Sequence, residues 1–425
     1  MSITVNRAQS LKTGVEMQSM LFEKRFIKAV EQFRAQAALP LRIELWNGRQ
    51  FDFGSEPQVR VRIPTVGALR YFISPNLSKL GEAFVEGHIQ VDGAPEHVFK
   101  VAEGLARSVA QKFPSIFHWG TRHTRRIDRA AIEYHYDVSD DFYALFLDPG
   151  MVYSCAYYQT ESDGLARAQT QKLDHLLNKL RLKPGEKFLD IGSGWGALVM
   201  RAVEKYGAVA TGITLSRNQY DYSRRKIDEA GLADRCQVLL CDYRDLPGSR
   251  VYDKIASVGM FEHVGLKNLP VYFSTVHRLL RDGGLALNHG ITTSDVRSGW
   301  MGLGAGDFID RYVFPQGELP HISLAMEAMA GSGLEVLDVE SLRRHYALTC
   351  DAWSKNLEKN SIDALRIAGG RRYRIWQIYL AGCAYGFSKG WMNLYQVLCS
   401  KSCNTELSGH PLRRDYMVAP PVAWA

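Results

Sequence analysis

The residues of this chain best placed to do chemistry gather around one glycine-rich run, KFLDIGSGWG, from Lys187 to Gly196. Phe188, Leu189, Asp190 and Ile191 read as a buried strand, and the glycines at 192, 194 and 196 as a sharp turn into a helix that starts near Trp195. Glycine lets backbone and ligand approach where a side chain would collide. The first N–H groups of the helix are free and favour a polar or anionic ligand edge. Such a turn suits an adenosyl cofactor. The spacing G-x-G-x-G fits S-adenosylmethionine, whereas the dinucleotide fingerprint is G-x-G-x-x-G with a carboxylate about 20 residues on to hold the ribose. The next strand, AVATGITLS, ends in Thr214, Leu215 and Ser216, with no acid there. The methyl donor is therefore favoured; a dinucleotide, or a glycine turn with no ligand, remains the alternative.

Further reactive residue types fall in short segments elsewhere: MVYSCAYY, holding Tyr153, Ser154 and Cys155; CDYRDL; VGMFEHVG; NHGITT; and RYVFPQG. The elements that position them alternate regularly. A helix over 163–182 precedes the glycine strand, followed by a strand over 208–213, a helix over 216–230, strands over 236–241 and 251–257, a helix over 268–281 and a strand over 284–292. Closing strands are expected over 334–341 and 392–400, with amphipathic helices over 342–359 and 370–387. This is an α/β pattern, a doubly wound, mostly parallel, Rossmann-like sheet with ligands at the carboxyl ends of its strands. The segments above lie at those ends or in loops able to cover them. The interval 293–320 is too rich in glycine and aromatics for a plain connection and reads as an insertion over the active site.

Upstream, RIELWNG, QVRVRIP and ALRYFI read as strands separated by turns at Asn47-Gly48 and Gly54-Ser55. A helix in LGEAFVEG, a glycine-punctuated turn and a second helix from near Pro95 complete a smaller α+β N-terminal domain over 1–106. A basic and aromatic linker over 107–132, with Arg107, Lys112, Phe113, Phe117, Trp119, Arg122, Arg125, Arg126 and Arg129, leads to the main domain over 133–403 and a tail over 404–425. Such a linker suits an anionic membrane surface and equally a solvated connection. No recognisable nucleic-acid module accompanies it, which argues against nucleic acid as the partner.

At 425 residues two domains are expected, and 52 Lys and Arg against 45 Asp and Glu give a net charge of +7, which suits an anionic partner. No run is apolar enough to span a bilayer and no secretion signal is evident, so the cytoplasm is the expected location. The cysteines at 155, 236, 241, 350, 383, 399 and 403 form no C-x-x-C pair, so neither a zinc site nor a disulfide framework is indicated.

Taken together, HYDVSDDFYALFLD, YSCAYY, LDIGSGWG, GITLSRNQ, DYRDL, SVGMFEHVG and RYVFPQGELP, in this order, resemble the cyclopropane fatty acid synthase family of S-adenosylmethionine-dependent methyltransferases over about 133 to 400. The N-terminal domain, through EGHIQVDG, resembles the extra domain of the bacterial synthases. The resemblance implies a class I methyltransferase fold and methyl transfer to the cis double bond of an acyl chain in a membrane phospholipid, followed by ring closure, at the inner membrane surface. Sibling outcomes are a methyl-branched, methylene or oxygenated chain; a reading from another class is a non-catalytic lipid-binding protein. A homodimer is suggested by the bacterial members that carry the extra domain.

Site residues follow from the same resemblance. Gly192 and Gly194 face the methionine part of the donor, with Ser193 between them. Tyr153 and Ser154 approach its carboxylate or sulfonium, and Thr214 and Leu215 line the ribose. Gln219 replaces the missing acid at the hydroxyls, and Tyr243 and Arg244 flank adenine. Alkene attack on the methyl leaves a carbocation, which the aromatic faces of Tyr153, Phe261, Tyr312 and Phe314 can stabilise. The base is a bicarbonate ion, caged by Cys155, Glu262, His289, Ile291 and Tyr312, with a proton shared between the ion and Glu262 because two adjacent negative charges are unfavourable. Cys155 is a wall of this cage and not a nucleophile. The family more often has Cys where Ser193 stands and Thr where Gly290 stands.

Overall fold

The structure, a computed structural model, describes residues 22–34, 38–110, 139–296, 303–314, 317–401 and 410–417. The chain divides into two compact units. One comprises Met1–Trp119, Met301–Val313 and Gly369–Gly382; the other comprises Gly120–Trp300, Phe314–Ala368 and Cys383–Ala425.

The first unit is built on a four-stranded sheet of order β2-β1-β3-β4, with β1 at Leu41–Leu45, β2 at Gln50–Asp52, β3 at Val59–Ile63 and β4 at Gln90–Asp92. The expected turn at Asn47-Gly48 closes the antiparallel β1–β2 pair, and β1 runs parallel to β3. In β3 the sequence VRVRI alternates buried valine or isoleucine with exposed arginine, the period expected of a half-buried strand. The buried side chains join Phe26, Leu41, Ile43, Leu69 and Phe72 in one core. ALRYFI is not a strand: Val66–Leu69 is a 3-10 turn and Arg70–Ile73 a short helix. Its buried residues, Ala68, Leu69, Tyr71 and Phe72, follow a helical period and not an alternating one. Conversely, the turn after the first helix contains the short strand β4. The helix Leu77–Val85, capped by Asn76, is joined by Ala305–Tyr312 from the expected insertion: Leu77 N–H donates to the Leu303 carbonyl and Arg311 pairs with Glu82. The second helix spans Pro95–Ala110. The rest of the basic linker lies outside the described residues.

The second unit holds a seven-stranded sheet of order β10-β11-β9-β8-β5-β6-β7. Its strands are β5 at Lys187–Ile191, β6 at Val209–Thr214, β7 at Cys236–Leu240, β8 at Tyr252–Val258, β9 at Leu280–Thr293, β10 at Leu334–Ser341 and β11 at Met392–Lys401. All pairs are parallel except those of β11, which runs antiparallel to both β9 and β10. The chain leaves β5 outward to β6 and β7, then returns to the other side of β5 for β8. The order therefore reverses beside β5, and in such sheets that reversal is where ligands bind. Phe188 faces one apolar core and Leu189 and Ile191 the other, so β5 is buried on both faces. β9 begins at Leu280, earlier than expected. The last helical stretch, Ser361–Lys389, is two helices that meet at a kink at Gly369 (φ 74°, ψ 161°), next to the start at 370 that the sequence suggested. Among the described residues, no helix is long and apolar enough to cross a membrane.

Candidate active site

After β5 the backbone turns through Gly192 (φ 85°), Gly194 (φ 54°) and Gly196 (φ 88°), all in the left-handed region that disfavours side chains. Gly192 and Ser193 donate their N–H groups to the Ile213 carbonyl of β6 at 3.0 and 2.9 Å, fixing the turn against the neighbouring strand. The helix begins at Ala197, two residues after the expected start, and no side chain caps it. Its first N–H groups stay available at the turn.

One cavity opens at this turn, and every donor-site residue expected from the sequence lines it: Tyr153, Ser154, Gly192, Ser193, Gly194, Thr214, Leu215, Gln219, Tyr243 and Arg244. Thr214 Oγ1 donates to Gln219 Oε1 at 2.8 Å, and Ser216 caps the helix Arg217–Glu229 by accepting from Gln219 N–H. Gln219 is thus held at the β6 end, where a dinucleotide enzyme would carry its acid. Arg244 folds back on Asp242, with Nε to Oδ1 at 2.9 Å and Nη2 to Oδ2 at 2.7 Å, and its guanidinium lies 5.3 Å from the Tyr243 ring centroid.

The wall formed by Met151–Ser154 is held from below by polar groups that sequence reading missed. Asp148 accepts from the N–H groups of Gly150 and Val152, both at 2.9 Å. On the helix Leu165–Lys179, Gln169 Nε2 donates to the carbonyls of Val152 and Ser154, and Lys172 Nζ donates to Ser154 Oγ at 2.9 Å. Gln169 and Lys172 sit in the stretch read from the sequence only as a helix over 163–182. Trp195, beside the glycines, is pinned by donating Nε1–H to Asp140 at 2.8 Å.

The expected base residues lie on neighbouring elements. Glu262, in the 3-10 turn after β8, is buried, and its Oε1 accepts from the Ile291 N–H at 2.6 Å. Burial pushes its carboxyl up to about 7, against the downward pull of that bond. Its Oε2 has no hydrogen-bond partner. His289, two residues before Ile291 on β9, is buried, with Nδ1 facing Gln396 Nε2 at 3.1 Å. An amide nitrogen only donates, so Nδ1 accepts and the ring proton sits on Nε2, which is unpartnered. Burial keeps this histidine neutral, well below its ordinary pKa. The Cys155 thiol, fully buried against the carbonyls of Ala156 and Leu342, is pushed far up by burial and stays protonated. That state suits a wall and no nucleophile.

Two members of the expected ion cage have their polar groups engaged otherwise. Ile291 gives its N–H to Glu262. Tyr312 belongs to the first unit, where its hydroxyl donates to Glu86 Oε1 at 3.3 Å and Arg371 lies 5.6 Å from its ring centroid. Of the expected aromatic faces, Tyr153 packs among Tyr143, Phe146 and Trp353, and Phe314 lies 5.4 Å from His263. Phe261 covers Gly290, where an added Cβ would stand 1.9 Å from its Cε1.

The sequence profile of mycolic acid cyclopropane synthetases matches residues 123–397. The chain belongs to that family. A profile for a domain of unknown function matches 29–113, so the N-terminal unit is a recurrent module. "Probable fatty acid methyltransferase" of Pseudomonas putida is 46% identical over 363 residues, covering 85% of this chain and 92% of the relative. The crystal structure of mycolic acid cyclopropane synthase CmaA1 complexed with SAH and CTAB superimposes with a TM-score of 0.60 at 38% identity, covering 64% of this chain and 98% of that one. Coclaurine N-methyltransferase, at 18% identity and a TM-score of 0.60 over 76% of this chain and 99% of its own, speaks for the fold alone. This family member therefore has the class I methyltransferase fold that its sequence led one to expect.

Proposed function

We propose that this family member transfers the methyl group of S-adenosylmethionine to the cis double bond of an unsaturated acyl chain in a membrane phospholipid, and that loss of a proton from the added methyl closes a cyclopropane ring. The observation that carries this reading is the cavity at the sheet's switch point, in which all ten expected donor residues meet beside the turn bearing Glu262. Bound there, the donor supplies an electrophilic sulfonium methyl, so no side-chain nucleophile is required. The glycine turn and the uncapped helix would hold its polar end, Thr214 and Gln219 its hydroxyls, and Tyr243 its base. The aromatic cluster around Tyr153 offers ring faces to a developing cation.

The base side is suited to a small anion. A bicarbonate ion, as the family resemblance implies, would supply proton acceptance beside an apolar chain. His289 would hold it by donating Nε2–H, and Glu262 by sharing a proton at Oε2. Both atoms are buried and unpaired, which is costly without a partner. Substrate at a membrane surface is consistent with the net charge of +7.

The test is incubation with methyl-labelled donor and vesicles of unsaturated phospholipid, with label expected in lipid that has gained one CH₂. Absence of label from the lipid overturns the reading. A second reading, capture of the same cation as a methyl-branched, methylene or oxygenated chain, draws on the Phe261 ring seated where the family more often carries a threonine side chain. NMR of the labelled product separates a ring from these.

A further inference from the structure

Gln396 stands directly opposite His289 in the antiparallel β9–β11 pair, so the two side chains leave the sheet on the same face. The neighbours of Gln396 on that face of β11, Leu394 and Leu398, are apolar and buried, and Gln396 is itself 0% exposed. A row of this kind calls for another leucine, since an amide taken out of water costs free energy unless it is hydrogen-bonded. Among the described residues the Gln396 side chain makes a single hydrogen bond, from Nε2 to His289 Nδ1 at 3.1 Å, and its Oε1 accepts from nothing. A half-satisfied amide in an apolar row contributes little to folding. What it does determine is the state of the imidazole.

A neutral imidazole has one N–H, and the partner of one ring nitrogen decides which nitrogen carries it. The N–H of Gln396 aimed at Nδ1 leaves a lone pair there and puts the proton on Nε2, the nitrogen with no protein partner. It also opposes a second proton at Nδ1. Burial and the charges of Lys172 and Lys179 act in the same direction on this ring.

We propose that Gln396 is a positioning residue for the base side of the site: it fixes His289 as the neutral Nε2–H tautomer, so that the ring presents a donor to a small oxyanion and cannot itself accept a proton. This rests on the proposed bicarbonate-assisted reaction and deepens it. With Nδ1 occupied and Nε2 already protonated, the ring has no lone pair to offer the substrate. The opposite arrangement, Nδ1–H donating to the Oε1 of a turned amide, would give Nε2 a lone pair that repels an anion.

The experiment is NMR of the full chain labelled with 15N at histidine, the His289 signals being assigned by their loss in His289→Asn. Without added bicarbonate the expected pattern is a bare Nδ1 and a protonated Nε2, unchanged between about pH 6 and 8. A protonated Nδ1, or a ring that gains a second proton in that range, overturns the inference. Gln396→Leu removes the N–H and is expected to let the tautomers exchange, seen as averaged nitrogen shifts. Its kcat should fall by about 3- to 10-fold, the worth of one neutral hydrogen bond, with the affinity for S-adenosylhomocysteine unchanged by calorimetry. Added bicarbonate should recover that rate, because mass action restores a poorly held ion and not a distorted fold. An unchanged tautomer in Gln396→Leu, or a lost rate that bicarbonate does not recover, overturns the role of Gln396. A wild-type rate indifferent to bicarbonate overturns the bicarbonate reading itself, whatever the tautomer.

Discussion

Glu262 carries opposed demands in a single carboxyl group. Burial raises it from an ordinary 4.5 to about 7, so the folded chain holds its proton more tightly than the unfolded chain. Its contribution to stability therefore falls as pH rises from about 4.5 to 7 and stays low above, a loss of about 3 kcal/mol. Glu262→Gln should remove that loss: urea denaturation at pH 8 should find the variant more stable relative to wild type than at pH 5. The same variant should be severely impaired in product formation, and full activity would remove Glu262 from the chemistry. Gly290 is as constrained for a different reason. The Phe261 ring lies where any Cβ would be, so Gly290→Thr should destabilise by about 1–3 kcal/mol by overpacking, and Phe261→Leu in the same chain should recover part of that in a double-mutant cycle. The donor residues were legible because a glycine turn and strand ends announce themselves locally. Lys172, Gln169 and Asp148 were not, because a polar residue on an amphipathic helix or in a loop reads as solvated until the fold shows what lies under it.

At the scale of elements, the helix Leu165–Lys179 joins the cofactor cavity to the far edge of the sheet. Near its middle Gln169 and Lys172 hold the Val152–Ser154 wall. At its end His175 and Lys179 both reach Glu340 on β10. Against the upward push of burial, the bond from His175 and the charge of Lys179 hold Glu340 down to about 2. Its contribution to stability is thus present above its unfolded pKa and is lost as pH falls towards 2. Lys179 is 1% exposed, so Glu340→Gln leaves a buried ammonium with weakened compensation and should cost about 3–5 kcal/mol in denaturant unfolding at neutral pH. The order of strands and helices in this unit could be read from the alternation of apolar runs, and β10 fell at its expected bounds. ALRYFI could not, since two adjacent buried aromatics fit either period in so short a segment. β4 was hidden because three residues between Gly87 and Gly93 give no periodic signal.

For the whole molecule, the division into units does not follow the chain. Ala305–Tyr312, from the stretch that read as an insertion of the catalytic domain, belongs to the first unit, as does Gly369–Gly382. Linear patterning does not disclose such exchange, because the helix periods of these segments look alike whichever core they serve. What the glycine turn at Lys187–Gly196 could not specify alone, an acceptor for the donor's methyl, is the central claim of the account and is open to one direct test. Wild-type protein, methyl-labelled S-adenosylmethionine and vesicles of anionic, cis-unsaturated phospholipid should yield labelled phospholipid one CH₂ heavier, with cyclopropane methylene signals by NMR. Label confined to water-soluble products, or none transferred while S-adenosylhomocysteine still binds, would contradict it.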